Sequence, residues 1–391
     1  MLQPRLFAHA HYALYDAVLT SLWVGSLVAF ARAIDKPDVG STNLPRWGWA
    51  VAFGVLAGCA AGTKLTGWFL PLPFLAWIIL YRHRRGAIAL TLGTAIAALV
   101  LFLLIPPWWH APITGAIRFL RANLSRGEST LIPTLFLGRV YYTPQASLPW
   151  YNTLVWTFFV TPAGFLMLGL MGVVRAIRKA RIDSIGLLVV VNLLFLLGLR
   201  SLPHTPGHDG ERLFLPAFGC LALAAGIGAA AANRWIKMFG TFALAEGAIS
   251  IALLMPVPLS YYSPLVGGLP NAVQWGLEPT YYWDAMADDA IGWLNQSVRP
   301  GQKVLFHSYP TTWRYLRQTG KLRAAVLPED PGRWTWYVIQ ARTGSLQPED
   351  RLLIARSGRP NVLMSKFGVP LIYVFPYVEL VRAQRDVQSS R

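Results

Sequence analysis

The chain predicts a mainly α, polytopic transmembrane helical bundle followed by a smaller extracytoplasmic α/β domain, and three observations carry that reading. Of its 391 residues, 54% are hydrophobic and 13% aromatic, with a mean hydropathy of +0.42, which is too apolar for an ordinary soluble protein. Apolar runs recur from residue 8 to residue 256, most of them near the length a bilayer requires. Beyond Pro256 no apolar run reaches that length, and proline, tryptophan and charge rise.

The runs fall at 8–31, 48–62, 66–81, 87–105, 150–174, 184–199, 213–232 and 238–256, which predicts about eight segments. Those on either side of Thr63-Lys64-Leu65 are shorter than the roughly 20 residues needed to cross upright, as in a broken or thinned hairpin. Basic clusters at Arg82/Arg84/Arg85, Arg175/Arg178/Lys179/Arg181 and Arg234/Lys237, with the linker carrying Arg32, Lys36 and Arg46, occupy alternate connections. The positive-inside rule assigns these to the cytoplasm. The N-terminus, the Lys64 turn, the loops 106–149 and 200–212, and all of the chain after Pro256 then face outward. A multi-pass protein of the plasma (inner) membrane is expected, divided into a core at 1–256 and a soluble domain at 257–391.

In that second domain Val304-Leu305-Phe306, Trp336-Tyr337-Val338-Ile339 and Leu371-Ile372-Tyr373-Val374-Phe375 read as short buried strands, and 284–297 and 311–319 as helices. No Gly-rich loop follows a strand there, so nothing argues for a nucleotide site. The net charge of +17 raises nucleic-acid binding, yet up to Pro256 there are 20 Lys and Arg against 8 Asp and Glu. Most of the excess thus lies between membrane segments, where it sets orientation, and no nucleic-acid partner is expected. Cys59 and Cys220 sit in apolar small-residue runs and read as packing residues. No basic region with a small-residue cleavage site precedes the first run, so no cleavable signal peptide is expected.

Five places carry ionisable groups that a bilayer would not tolerate without reason. Asp16 enters the first run behind His9, His11, Tyr12 and Tyr15. A carboxylate there marks either a cavity or a helix start stabilised by the helix dipole, and His11, Tyr12 and Asp16 are expected within about one turn of each other. It is positioned to accept a proton from a hydroxyl. Lys64, in Gly62-Thr63-Lys64-Leu65-Thr66-Gly67, reads as a solvated loop tip or as a point charge for a phosphate, with small neighbours permitting close approach. The loop from Pro106 to Pro149 holds Arg118, Arg121, Arg126 and Arg139 against Glu128. Arg118 and Arg121 share one face of an expected amphipathic helix at 113–124, either anchoring it to lipid head groups or holding a lipid-linked phosphate or diphosphate. Finally, His204, His208, Asp209, Glu211 and Arg212 crowd one short loop between two runs. Their spacing matches no strong metal signature, so no metal is assigned. Asp209 or Glu211 is expected to orient a sugar or acceptor hydroxyl, with Arg212 neutralising a carboxylate or phosphate; a loop-closing salt-bridge network is the alternative. Glu246, inside the last run, requires a buried partner that the sequence does not name.

Taken in order, Pro4-Arg5 to His9, His11 to Asp16, Gly54…Gly58…Gly62-Thr63-Lys64-Leu65-Thr66-Gly67, Trp108-Trp109-His110, Pro206 to Arg212 and Tyr261-Tyr262-Ser263-Pro264-Leu265-Val266-Gly267-Gly268 resemble the polytopic GT-C glycosyltransferases. The resemblance is to bacterial and archaeal relatives of the protein O-mannosyltransferases and aminoarabinose transferases. It implies transfer of a sugar from a polyprenyl-phosphate donor to a protein, lipid or glycan acceptor on the outer face, without a cofactor. Asp16 looks like the second acidic position of that pattern, and Lys64 like its lysine after the glycines. In that family the pattern begins with a further helix and an acidic outer loop carrying the principal catalytic Asp, and Met1 falls after that part. The expected assignment is Asp16 and Asp209 as catalytic, Lys64, Arg118, Arg121 and Arg212 as phosphate-binding, and His11, Tyr12, His208 and Glu211 as substrate-positioning. The rival readings are a transporter or flippase-associated protein binding a head group without chemistry, and an inactive scaffold. Membrane lipids and the lipid-linked donor are the expected partners.

Overall fold

The computed structural model describes the chain apart from residues 1, 13, 36–43, 126–131, 144, 183, 204, 206–209, 231–233, 309–311, 357–361 and 390–391. The chain divides into two compact units, one of residues 1–132 and 141–251, the other of 133–140 and 252–391.

The first unit is helical. Its elements are α1 (Pro4–His11), α2 (Tyr15–Ile34), α3 (Trp47–Thr63), a 3-10 turn (Leu65–Phe69), α4 (Pro71–Tyr81), α5 (Arg84–Leu104) and α6 (Pro112–Leu124). The chain then forms a two-stranded hairpin, β1 (Ile132–Phe136) and β2 (Arg139–Thr143), whose residues 133–140 belong to the second unit. The first unit resumes with α7 (Asn152–Val160), α8 (Ala163–Arg178), α9 (Ser184–Ser201), α10 (Leu215–Ala230) and α11 (Arg234–Leu254), the last ending at the border of the second unit. Among the described residues, five helices are long and apolar enough to cross a membrane: α2, α5, α9, α10 with the turn before it, and α11. Two shorter apolar helices span Trp47–Thr63 and Leu65–Tyr81. The chain is a multi-pass membrane protein.

Two expected runs are each broken. The run at 8–31 splits because Tyr12 caps α1 and Leu14 is extended before α2 restarts at Tyr15, so His11, Tyr12 and Asp16 do not share the continuous helix in which they were expected within about one turn of each other. The run at 150–174 splits at Pro162, whose ring pushes Thr161 into an extended conformation at φ −96°, ψ 131°. The stretch 106–149 is likewise more than a loop, since it contains α6 and the β1–β2 hairpin.

Phe30, Phe53, Phe74 and Trp77 form the aromatic centre of α2, α3 and α4, with ring centroids 4.8 Å apart for Phe30 and Phe74 and 5.3 Å for Phe30 and Phe53. Small residues let the backbones approach, as between membrane helices generally. A Cβ on Gly54 would stand 2.8 Å from the Gly93 carbonyl oxygen, and one on Gly58 2.8 Å from that of Ala97. A buried polar pair joins α2 to α9, where Trp23 Nε1 donates to Asn192 Oδ1 at 3.0 Å. Glu246 finds its partner at a helix start, where its two carboxylate oxygens accept the backbone N–H groups of Ala163 and Gly164, each at 2.9 Å, and so cap α8.

The second unit is α/β. Its four-stranded sheet has the order β3 (Gln302–Phe306), β4 (Arg333–Gln340), β6 (Val369–Pro376), β5 (Val362–Lys366). β3 and β4 run parallel, while the other pairs are antiparallel with Val338 opposite Val374. Around it lie α12 (Gly268–Gln274), α13 (Asp288–Ser297), α14 (Trp313–Gln318), α15 (Pro348–Arg356) and α16 (Tyr377–Ser389). Tyr337, Ile339 and Phe375 of the sheet pack with Leu353 of α15 and Leu380 of α16. Leu137-Gly138 and Phe367-Gly368, all at positive φ, turn the β1–β2 and β5–β6 hairpins, the conformation a two-residue primed turn demands.

Candidate anion site

Four helix ends of the first unit meet around Asp16: the start of α2, the end of α3, the end of α9 and the turn that leads into α10. Asp16 lies in the first turn of α2 and is 1% exposed. A carboxylate there is favoured by the exposed N–H groups of the helix start. Lys64 leaves α3 at φ −160°, ψ 151°, an extended residue that ends the helix and places a cation at its C-terminus. Its Nζ donates to Asp16 Oδ1. On the other side Arg212 Nε donates to Asp16 Oδ2 at 2.9 Å.

The cations keep an open side while the carboxylate does not. The side chains of Lys64 and Arg212 retain 24% and 27% of their exposure, against 2% for Asp16. Arg200, near the end of α9, lies in electrostatic range of Asp16 and Lys64, so three cations surround one anion. Such an arrangement suits an incoming anion, and the Arg fork and Lys point charge are complementary means of holding phosphate oxygens. Arg200 was not singled out from the sequence, because an arginine closing an apolar run reads as an interfacial anchor.

A second, closed cluster holds Arg212's neighbour. Glu211 Oε2 accepts from Arg5 Nη1 at 2.8 Å, and its Oε1 stands 3.2 Å from His9 Nε2, with all three residues buried. Burial opposes ionisation of Glu211, but the Arg5 charge and then His9 outweigh it and hold the carboxyl below its ordinary value. The Arg5 guanidinium also lies 5.8 Å from the Trp156 ring centroid, and a Cβ on Gly210 (φ +60°) would sit 3.3 Å from the same ring. Glu211 is therefore enclosed, and as placed it pins the turn that carries Arg212.

Of the expected site residues, Asp16, Lys64 and Arg212 come together. Asp209 and His208 lie outside the described residues, as do His204, Arg126 and Glu128. His11 and Tyr12 are exposed at the α1–α2 break, and His11 Nδ1 bonds the Phe7 carbonyl oxygen at 2.8 Å. Arg118 and Arg121 are exposed on α6 and take no part in the Asp16 ion pairs. That helix nevertheless docks beside the Lys64 turn, with Phe119 stacked on Trp68 at 5.4 Å. Two of the small residues flanking Lys64 serve close packing: a Cβ on Gly67 would meet the Ala60 carbonyl oxygen at 2.1 Å, and one on Gly62 would meet Leu104 at 3.3 Å. They let the turn fold back on α3. Among the described residues no group of three His, Cys, Asp or Glu side chains could hold a metal ion.

Residues 1–123 match the family model of the dolichyl-phosphate-mannose-protein mannosyltransferases, a stretch that includes Asp16, Lys64, Arg118 and Arg121. No curated protein matches the chain. Among solved structures the chain is similar to ArnT from Cupriavidus metallidurans in the apo state, at 15% identity and TM-score 0.48 over 95% of this chain and 76% of that one. It is similar also to the same protein bound to undecaprenyl phosphate, at 15% identity and TM-score 0.43 over the same shares.

Proposed function

We propose that this chain is a membrane glycosyltransferase of the GT-C type, moving a sugar from a polyprenyl-phosphate donor to a protein, lipid or glycan acceptor on the outer face of the membrane. The observation that carries the reading is the excess of cations around Asp16, two members of whose ion-pair cluster lie in the stretch matching a mannosyltransferase family. In the unliganded site Lys64 and Arg212 rest on Asp16. A donor phosphate entering from their open side exchanges for it, with Arg200 adding charge. Asp16 then accepts the proton of the acceptor hydroxyl. The hydroxyl oxygen bonds the anomeric carbon as the bond from that carbon to the phosphate oxygen breaks, and its electron pair leaves on polyprenyl phosphate. Lys64 and Arg212 stabilise the charge developing there, where preorganised cations are most effective. Asp209 and His208 are assigned to the acceptor side, Arg118 and Arg121 to a second contact with the donor phosphate, and His11 and Tyr12 to the site rim. The second unit is assigned to the outer side.

The test is release of polyprenyl phosphate by the purified full chain, given a panel of polyprenyl-phosphate sugars and a membrane extract as acceptor. Release from at least one donor is expected, with Lys64→Ala and Asp16→Asn each reducing it about 100-fold or more while the protein stays folded. Binding of the lipid phosphate with no release from any donor would make the chain a carrier and overturn the reading. Sidedness is tested by His208→Cys labelling with an impermeant reagent, expected from outside intact cells; labelling only after permeabilisation reverses the orientation.

A further inference from the structure

One face of α8 changes chemistry along its length. Met167, Leu170, Met171 and Val174 recur at helical spacing and line a groove of about 540 Å3, a size typical of small-ligand pockets, which run roughly 300–1,000 Å3. Arg175 and Arg178, in the last turn of the same helix, and Lys179 at its C-cap also line the groove. The opposite face, with Leu168, Gly169, Gly172 and Ala176, is buried. Gly228 of α10 completes the lining, and a Cβ on it would meet the Leu168 carbonyl oxygen at 2.3 Å, so the helices touch there and no side chain fills the space.

We propose that this groove binds an anionic phospholipid, with an acyl chain along Met167 to Val174 and the phosphate on Arg175, Arg178 and Lys179. From Met167 to Arg178 the helix rises about 16 Å, half of a hydrocarbon core of roughly 30 Å, which is the depth of one leaflet. Met167, Leu170 and Val174 are 46%, 55% and 46% exposed, and among the described residues no carboxylate pairs with the three cations; Asp183 lies outside the described residues. An apolar channel ending in several cations, between helices at a bilayer boundary, is complementary to a lipid with a negative head group. Long flexible methionines suit chains of differing shape. This inference requires only that the chain spans the membrane and is independent of the Asp16 site.

The experiment is thermal unfolding of the full chain in detergent with added phosphatidylglycerol, phosphatidylcholine or glycerol phosphate. Phosphatidylglycerol is expected to raise the melting temperature by about 4 °C at saturation, the other two by far less. The rise should vanish in Arg175→Gln/Arg178→Gln/Lys179→Gln and shrink at least 5-fold in apparent affinity in Val174→Trp, which fills the groove but keeps the cations. If the triple variant does not fold, Arg178→Gln alone is expected to weaken the response several-fold. An equal rise with phosphatidylcholine, or with glycerol phosphate, overturns the proposal, and so does a full response in Val174→Trp.

Discussion

Arg212 Nε reaches Asp16 Oδ2 at 2.9 Å across 196 positions of chain, and the carboxylate is shared with Lys64 from a third helix end. A donor phosphate that takes the place of Asp16 on Arg212 gains a charge-assisted bond of the class worth about 1.5–3 kcal/mol. Arg212→Gln is therefore expected to weaken polyprenyl phosphate binding roughly 10- to 150-fold. Arg212→Lys keeps the charge but not the fork and should recover only part of that loss. Binding of labelled polyprenyl phosphate to the purified variants measures both; wild-type affinity in Arg212→Gln would remove Arg212 from the site.

The individual groups of this cluster were legible as misplaced charges: an acid at a helix start, a lysine on a turn between short apolar arms, an arginine in a loop between two runs. Their pairing was not, because a contact between positions 16 and 212 depends on helix packing, which local periodicity does not encode. The same limit hid Arg5 and His9 as partners of Glu211 and the N–H groups of Ala163 and Gly164 as partners of Glu246. The broken runs had a signal in part, since Pro162 marks one break. The packing role of Gly62 and Gly67 was not legible, because a glycine that admits a ligand and one that admits a neighbouring backbone look alike in sequence. In the second unit β5 was passed over, although Phe367-Gly368 between two β-rich stretches is a hairpin signal.

Glu211 and Arg5 are 1% and 2% exposed, so neither charge has water to fall back on. Removing one partner of such a buried pair costs about 3–5 kcal/mol, while replacing both by apolar groups of similar volume is often near neutral. Glu211→Gln should lower the melting temperature of the full chain sharply, and Arg5→Met/Glu211→Met should recover much of the fall. Additive losses in the double variant would show that the pair does not act as a unit.

Gly67 and Gly62 flank Lys64 at similar distance along the chain but meet different obstacles. A Cβ at Gly67 would overlap backbone, 2.1 Å from the Ala60 carbonyl oxygen, whereas one at Gly62 would touch the tip of Leu104 at 3.3 Å. Gly67→Ala must displace the turn and Lys64 with it, and a loss of roughly 100-fold in sugar transfer is expected, since small displacements of a binding group are amplified in rate. Gly62→Ala should stay within about threefold, as a side-chain tip can yield. Equal activities in the two variants, measured beside their melting temperatures, would mean that this packing does not position Lys64.

In the second unit Asp350, at the start of α15, is fully buried and accepts from Tyr337 Oη at 2.7 Å, the Gln347 N–H at 2.8 Å and His307 Nδ1 at 2.9 Å. Burial alone would raise its pKa, but these donors outweigh it and hold the carboxyl below the ordinary value. Burial and then the Asp350 charge push the Tyr337 hydroxyl up, so it remains a donor across the accessible range. A carboxyl with a depressed folded pKa stabilises fully above its unfolded value, near 3.9, and loses that contribution as pH falls through the folded value. Hydrogen exchange of the β4 amides in the full chain should accordingly be insensitive to this group between about pH 7 and 5, after correction for intrinsic rates, and protection should drop below about pH 4. Asp350→Asn should already lack about 1.5–3 kcal/mol of protection at pH 7, and Tyr337→Phe about 1 kcal/mol. Because the lost term is the ionised carboxylate, Asp350→Asn should also flatten the acid limb; an unchanged limb in that variant would assign acid sensitivity to other carboxyls.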